Sequence, residues 1–192
     1  MTDPARGLTA ICKFLHHQGR RFALVGGLAV SLRAEIRFTR DIDLAISVED
    51  DADAEQLVFA IARSGYQVVT TVEHKTQNRL ATARLRSQEG FAIDLLFAST
   101  GIESEIVARA TVVAMPTMGS VPVARSEELL AMKILSMDHL RLQDRIDAQN
   151  LLRFNPELDL TVVRDNLRLV IERGFHRDRD LISLLDEVLD EI

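Results

Sequence analysis

Apolar positions recur at helical spacing near the start of the chain, where Leu8, Ile11, Phe14 and Leu15 lie three and four residues apart or adjacent. Asp3-Pro4 precedes them, a cap residue followed by one suited to a first turn, so an opening helix is predicted. Arg21–Val25 ends in four apolar residues and reads as a short buried strand, stopped by Gly26-Gly27. A short helix from Leu28 to about Ala34 is expected next, then a loop over Glu35–Arg40. Asp41–Ser47 alternates: Ile42, Leu44 and Ile46 point to one face of a strand, and Asp41, Asp43 and Ala45 to the other. The acids Glu49, Asp50, Asp51, Asp53 and Glu55 suit the start of a helix, where negative charge meets the positive end of the dipole.

Three more strands are predicted over Tyr66–Val72, Arg79–Arg86 and Phe91–Ala98. In the last, Phe91, Ile93, Leu95 and Phe97 alternate with Ala92, Asp94 and Leu96. Short β segments fit around Thr111–Met115 and Val121–Ala124. From Ser126, read as a cap, the pattern is helical to Ile192. There are no repeats and no low-complexity linker. The expected fold class is α/β (α+β): a core with a mixed sheet over residues 1–125, followed by a C-terminal helical region over 126–192.

Composition narrows the function classes. The chain has 192 residues, 47% hydrophobic and 27% charged, ordinary for a soluble globular protein. Its net charge of −6 gives no global attraction to nucleic acid, so any RNA contact needs a local basic patch. The single cysteine, Cys12, rules out an internal disulfide. The first residues lack the apolar core of a signal peptide. The charge-free stretch over Ala110–Val123 is broken by Pro116, Gly119 and Pro122 and is too short to span a bilayer. No membrane association is expected, and the cytoplasm is the expected location.

The chemistry concentrates in the ordered set Gly26, Gly27, Arg37, Thr39, Asp41 and Asp43. Two Asp at i and i+2 on a strand put two carboxylates on one face. Unpaired on a partly buried sheet, they cost several kcal/mol, roughly, or become protonated, so an arginine or a metal must sit beside them. Magnesium binds carboxylate and phosphate oxygens together. A glycine pair between strand and helix lets backbone approach phosphate closely, and the helix behind it offers free N–H groups. Nucleotidyl transfer needs these parts, because charge builds on the attacking and leaving oxygens around the α-phosphorus. Asp94 alternates onto the face that suits a third carboxylate, or an ion pair with an arginine.

The segments VGGLAV and RFTRDIDLAI together resemble the DNA polymerase β-type nucleotidyltransferase signature, a Gly-Gly or Gly-Ser pair followed by Asp-x-Asp on a strand. The Arg-x-Thr-x-Asp-x-Asp version is similar to the AbiEii and MenT-like toxins of bacterial toxin–antitoxin systems; aminoglycoside nucleotidyltransferases share much of it. The resemblance covers roughly Arg21–Leu152. It implies a polymerase β-type core, an NTP substrate, Mg²⁺ or Mn²⁺ held by Asp41, Asp43 and Asp94, and transfer of a nucleoside monophosphate with pyrophosphate released. For MenT-like toxins it implies a tRNA 3′ end as acceptor, a block on translation and a cognate antitoxin protein. Lys133 followed by Arg141, Asp144 and Asp147 is similar to the C-terminal motif of the same proteins, in which the lysine contacts nucleotide phosphate and an acid on the next helix supports the site. Two departures stand out. Gly27 replaces the serine of many members, leaving only backbone contact there, and Gln143 stands where a basic residue usually precedes the first acid.

On its own helix Lys133 is expected to be mostly exposed. Lys75, Arg79, Arg84 and Arg86 fall in an acid-free segment that suits a basic ridge for a phosphate backbone or a solvated hairpin. Arg33, Arg37 and Arg40 are candidates for triphosphate or RNA, and the arginines from Arg164 to Arg179 form a reserve. The histidines show no zinc spacing. Rival readings are a small-molecule (aminoglycoside-type) nucleotidyltransferase, a protein AMP-transferase, and a non-catalytic NTP-binding regulator.

Overall fold

The structure, a computed structural model, describes residues 4–36, 39, 41–74, 77–115, 119–138 and 140–192. Helix α1 (Pro4–His17) leads into β1 (Phe22–Val25), α2 (Gly26–Arg33), β2 (Ile42–Ile46), α3 (Asp51–Arg63), β3 (Gln67–His74), β4 (Arg79–Arg86) and β5 (Ala92–Leu96). There follow α4 (Glu103–Arg109), β6 (Thr111–Met115), β7 (Gly119–Val123), α5 (Ser126–Ser136), α6 (Leu142–Phe154), α7 (Leu160–Glu172) and α8 (Leu181–Asp190).

The seven strands form one mixed sheet in the order β3-β4-β5-β2-β1-β7-β6. β2 runs antiparallel to β1 and parallel to β5, and the register sets Asp43 level with Val25 on one side and Asp94 on the other. β1 is fully buried, and the apolar positions of β2 and β5 fill the core. α1 adds Leu8, Ile11 and Leu15 to that core, as its spacing predicts.

Several local expectations need revision. α2 begins at Gly26 itself, because Gly26 at φ +65° turns the chain from strand into helix without a loop. α4 has no counterpart in the sequence reading: it is short, and its first residue, Glu103, is buried with its carboxylate accepting the N–H groups of Ser99, Thr100 and Gly101. Asp50 does cap α3, accepting from the Asp53 N–H at 2.9 Å. Asp3, the proposed cap of α1, lies outside the described residues.

The largest revision concerns α5. Ser126 is its first residue and not its cap; the hydroxyl donates to Asn155 Oδ1 at 3.0 Å. The helix is buried on almost every side, touching α2, α6, α7 and α8, so its one lysine is buried too. Asn155, just past α6, also donates to the Arg33 carbonyl at the end of α2, at 3.0 Å. The C-terminal helices are thereby fixed to the helix that follows the glycine pair.

Candidate active site

Gly26 and Asp43 meet at the centre of the sheet. A Cβ placed on Gly26 would lie 1.9 Å from Asp43 Oδ2, so the backbone at the α2 N-terminus and this carboxylate occupy space that only glycine leaves. Val25, at the cap position, makes no side-chain capping bond, so the first N–H groups of α2 have no side-chain cap. Asp41 is exposed just before β2, and Asp43 faces the same way. Both line a cavity of about 630 Å³ together with Gly26, Gly27, Thr39, Asp94, Lys133 and Asp144. Burial pushes the Asp43 carboxyl up to about 6; the Asp94 carboxylate adds to the rise, Lys133 opposes it and Asp41 adds a little more.

Asp94 stands beside Asp43 but is turned to β4. Arg84 donates to it through two nitrogens, Nε to Oδ1 at 2.8 Å and Nη2 to Oδ2 at 2.5 Å. The hydrogen bonds to Asp94 hold the Arg84 guanidinium above its ordinary pKa. The register explains the pair, since Arg84 and Asp94 are directly opposed on antiparallel strands. Arg84 therefore belongs to the cavity wall rather than to a detached basic ridge.

Lys133 contradicts the exposed reading. Its residue exposure is 8%, and Nζ sits 2.7 Å from both Asp144 Oδ1 and Asp147 Oδ2. Asp147 is fully buried and also accepts from Gln143 Nε2 at 2.9 Å. Gln143, the departure from the expected basic residue, thus completes the bonding of that carboxylate. Arg145, a possible partner for these acids, pairs instead with Glu191 and Glu187.

Of the remaining candidates, Arg37, Arg40 and Lys75 lie outside the described residues. Arg33 donates to the carbonyls of Ala124 and Val123 and to the Thr111 hydroxyl, bracing α2 against β6 and β7 away from the cavity. Arg79 pairs with Asp51 at the start of α3 and lines a separate cavity. Arg86 is exposed, level with Ala92, and is not among the residues lining this cavity. The proposed ridge is therefore split, with Arg84 alone of its described members in the cavity. Ser99, Thr100, Met132 and Ser136 also line it and were not singled out from sequence as site residues; the loop after β5 and one face of α5 bring them in, and Arg177, from the reserve of C-terminal arginines, joins them.

The donor set suits a hard divalent cation in part. Asp41 and Asp43 offer oxygen ligands whose mutual repulsion a cation would relieve, and Mg²⁺ commonly takes one or two carboxylates plus substrate phosphates. Among the described residues no group of three or more His, Cys, Asp or Glu side chains converges on a metal position. Arg84 takes one lone pair on each Asp94 oxygen, leaving a second on each for a cation.

The sequence matches the family model described as nucleotidyl transferase AbiEii toxin, type IV toxin–antitoxin system, over residues 13–192. No curated protein matches the sequence. Among solved structures the chain is similar to an antigenic nucleotidyltransferase-like protein from Paracoccidioides brasiliensis, with a TM-score of 0.52, 17% identity, and coverage of 95% of this chain and 92% of that one. That likeness shows the nucleotidyltransferase fold. The chain is also similar to MenT4, a nucleotidyltransferase toxin from Mycobacterium tuberculosis H37Rv, with a TM-score of 0.39, 13% identity, and coverage of 96% and 92%.

Proposed function

The chain belongs to the AbiEii family of nucleotidyltransferase toxins, and from that premise we propose that it transfers a nucleoside monophosphate from an NTP to the 3′ end of tRNA, dependent on Mg²⁺ or Mn²⁺, and so blocks translation. Membership makes it a nucleotidyltransferase with an NTP substrate and an antitoxin partner. The observation that carries the reading is the convergence of Asp41, Asp43 and the uncapped start of α2 in one cavity with Lys133.

In this reading the N–H groups at Gly26 and Gly27 hold the departing phosphates, aided by the helix dipole. Thr39, in the cavity lining, offers a hydroxyl to the same phosphates. Asp41 and Asp43 would hold the divalent cation, which would supply positive charge for the attacking and leaving oxygens. Lys133 has three N–H donors; two go to Asp144 and Asp147, leaving one for a phosphate oxygen. The acceptor hydroxyl forms the new bond to the α-phosphorus, the bond to the β-phosphate breaks, and pyrophosphate leaves with the electron pair. Asp94 takes the hydroxyl proton on a lone pair that Arg84 leaves free.

RNA is favoured over a polycationic acceptor by the state of the acids. Asp94 is bound by Arg84, and Asp144 by Lys133 with Arg141 at 3.7 Å, so these carboxylates are already matched by cations. The cytoplasm, where tRNA and NTP are found, is the proposed location; among the described residues no helix is long and apolar enough to cross a membrane. The test is incubation of the protein with each α-labelled NTP, Mg²⁺ and total tRNA, resolved on a gel. Label migrating with tRNA supports the reading. Label absent from tRNA but found on an aminoglycoside would move the chain to the small-molecule alternative.

A further inference from the structure

The strand register orients the cavity. Gly26 follows Val25, which is level with Asp43, so the glycine pair lies toward the Asp41 end of β2. Asp94 is level with Asp43, and Leu96 is level with Ala45, one step farther along. Ser99 and Thr100 lie beyond Leu96, at the opposite end of the cavity from the glycines. In-line attack requires the acceptor to approach from the side opposite the departing pyrophosphate. If pyrophosphate leaves toward Gly26 and Gly27, the acceptor enters at the Ser99 end.

That end carries a cation from far along the chain. Arg177, in the loop between α7 and α8, lines the cavity and donates to the Ser99 carbonyl at 3.4 Å. Arg141, just before α6, lines the same cavity and is close enough to Arg177 to act on its charge. Arg177 and Asp178 both have φ of +55°, a left-handed conformation that side chains seldom adopt, and two in succession at a cavity mouth suggest a constrained functional loop. The loop is tied down on each side. Arg173 donates to the Gly101 carbonyl at 2.5 Å and pairs with Glu105, the buried Phe175 ring lies 4.3 Å from His74, and Arg179 donates to the Met137 carbonyl. The protein packed around the base of this exposed side chain, with Arg179 and Arg141 nearby, holds the Arg177 guanidinium below its ordinary pKa, while Asp138 and Asp144 oppose the fall.

We propose that Arg177, assisted by Arg141, seats a backbone phosphate of the RNA acceptor next to its attacking hydroxyl. The inference rests on the RNA reading above and adds to it the residue that positions the acceptor. An arginine fork suits a phosphodiester, whose two free oxygens it can take together. The loop between α7 and α8 thereby acts on the acceptor, while α2, β2 and Lys133 act on the NTP.

The test compares wild type, Arg177→Ala and Arg177→Lys in two measurements: transfer kinetics with total tRNA and the preferred NTP, and anisotropy binding of a fluorescein-labelled single-stranded RNA across a salt series. Arg177→Ala is expected to raise KM for tRNA about tenfold, leave KM for NTP within about twofold, and flatten the salt slope of RNA binding by about 0.7, one phosphate contact. Arg177→Lys, which keeps the charge but not the fork, should recover part of the loss. An unchanged tRNA KM and salt slope in Arg177→Ala, or a loss confined to NTP, overturns the inference alone. A wild type that transfers nucleotide to no RNA overturns both the inference and the reading beneath it.

Discussion

At position 26 any side chain would collide with Asp43, since a Cβ there would lie 1.9 Å from its Oδ2 at a residue with φ of +65°. Gly26→Ala is therefore expected to lower kcat/KM for NTP transfer at least about a hundredfold and to reduce stability, because backbone and carboxylate cannot both hold position. Steady-state kinetics and a thermal melt check both effects. Asp43 makes a second prediction through its charge. Its folded-state pKa of about 6 lies above the ordinary aspartate value of 3.8, so ionising it costs stability, and the metal-free protein loses stability from this group as pH rises from about 4 through about 6. Asp43→Asn should raise Tm at pH 7.5 by a few degrees, on the order of 3 °C for each kcal/mol relieved, with the gain vanishing near pH 4. The same variant should lose transfer. A lower Tm at pH 7.5, or near-normal turnover, would contradict the role assigned to Asp43. These residues were legible in the sequence because a two-residue alternation on a strand fixes which face each acid takes. The contact between Gly26 and Asp43 was not legible, since it depends on β1 and β2 lying side by side.

Helices α5 and α6 are joined by one cation between two carboxylates, Lys133 with Asp144 and Asp147. Removing one partner of a buried ion set leaves charge without compensation, at a cost of about 3 kcal/mol. Lys133→Ala should thus lower Tm by roughly 6–12 °C as well as impair NTP use. A structural role and a phosphate-binding role separate in a double variant, Lys133→Met with Asp147→Leu. It should regain most of the stability, because the buried charges go together, and regain none of the activity. Recovery of transfer in the double variant would reduce Lys133 to a structural tie. Sequence periodicity misjudged α5 because its surroundings are made by α6, α7 and α8, whose packing leaves no mark on the spacing within α5 itself. Likewise, Arg84 and Asp94 read as separate features until strand register set them opposite each other. α4 escaped notice because its seven residues are too few to show a helical period.

Over the whole molecule, a chain with a net charge of −6 gathers Lys133, Arg84, Arg141 and Arg177 around one cavity. Charge at this scale works by placement rather than sum, and an acidic exterior limits indiscriminate binding of polyanions. The switch from strand to helix at Ser126 was readable from the change of period. That the helices beyond it roof the cavity was not, because the contacts join residues far apart in the chain, Asn155 to Arg33 and Arg177 to Ser99 among them. The central claim is that Asp41 and Asp43 hold a divalent cation for nucleotidyl transfer to RNA. Its most direct measurement is pyrophosphate release alongside label incorporation, with α-labelled NTP and tRNA, in wild type and Asp41→Ala, with Mg²⁺ and with excess chelator. The account predicts one pyrophosphate per nucleotide joined to RNA in wild type with Mg²⁺, and loss of both signals in the variant and in chelator. Transfer that persists at the wild-type rate in Asp41→Ala or in excess chelator would contradict it.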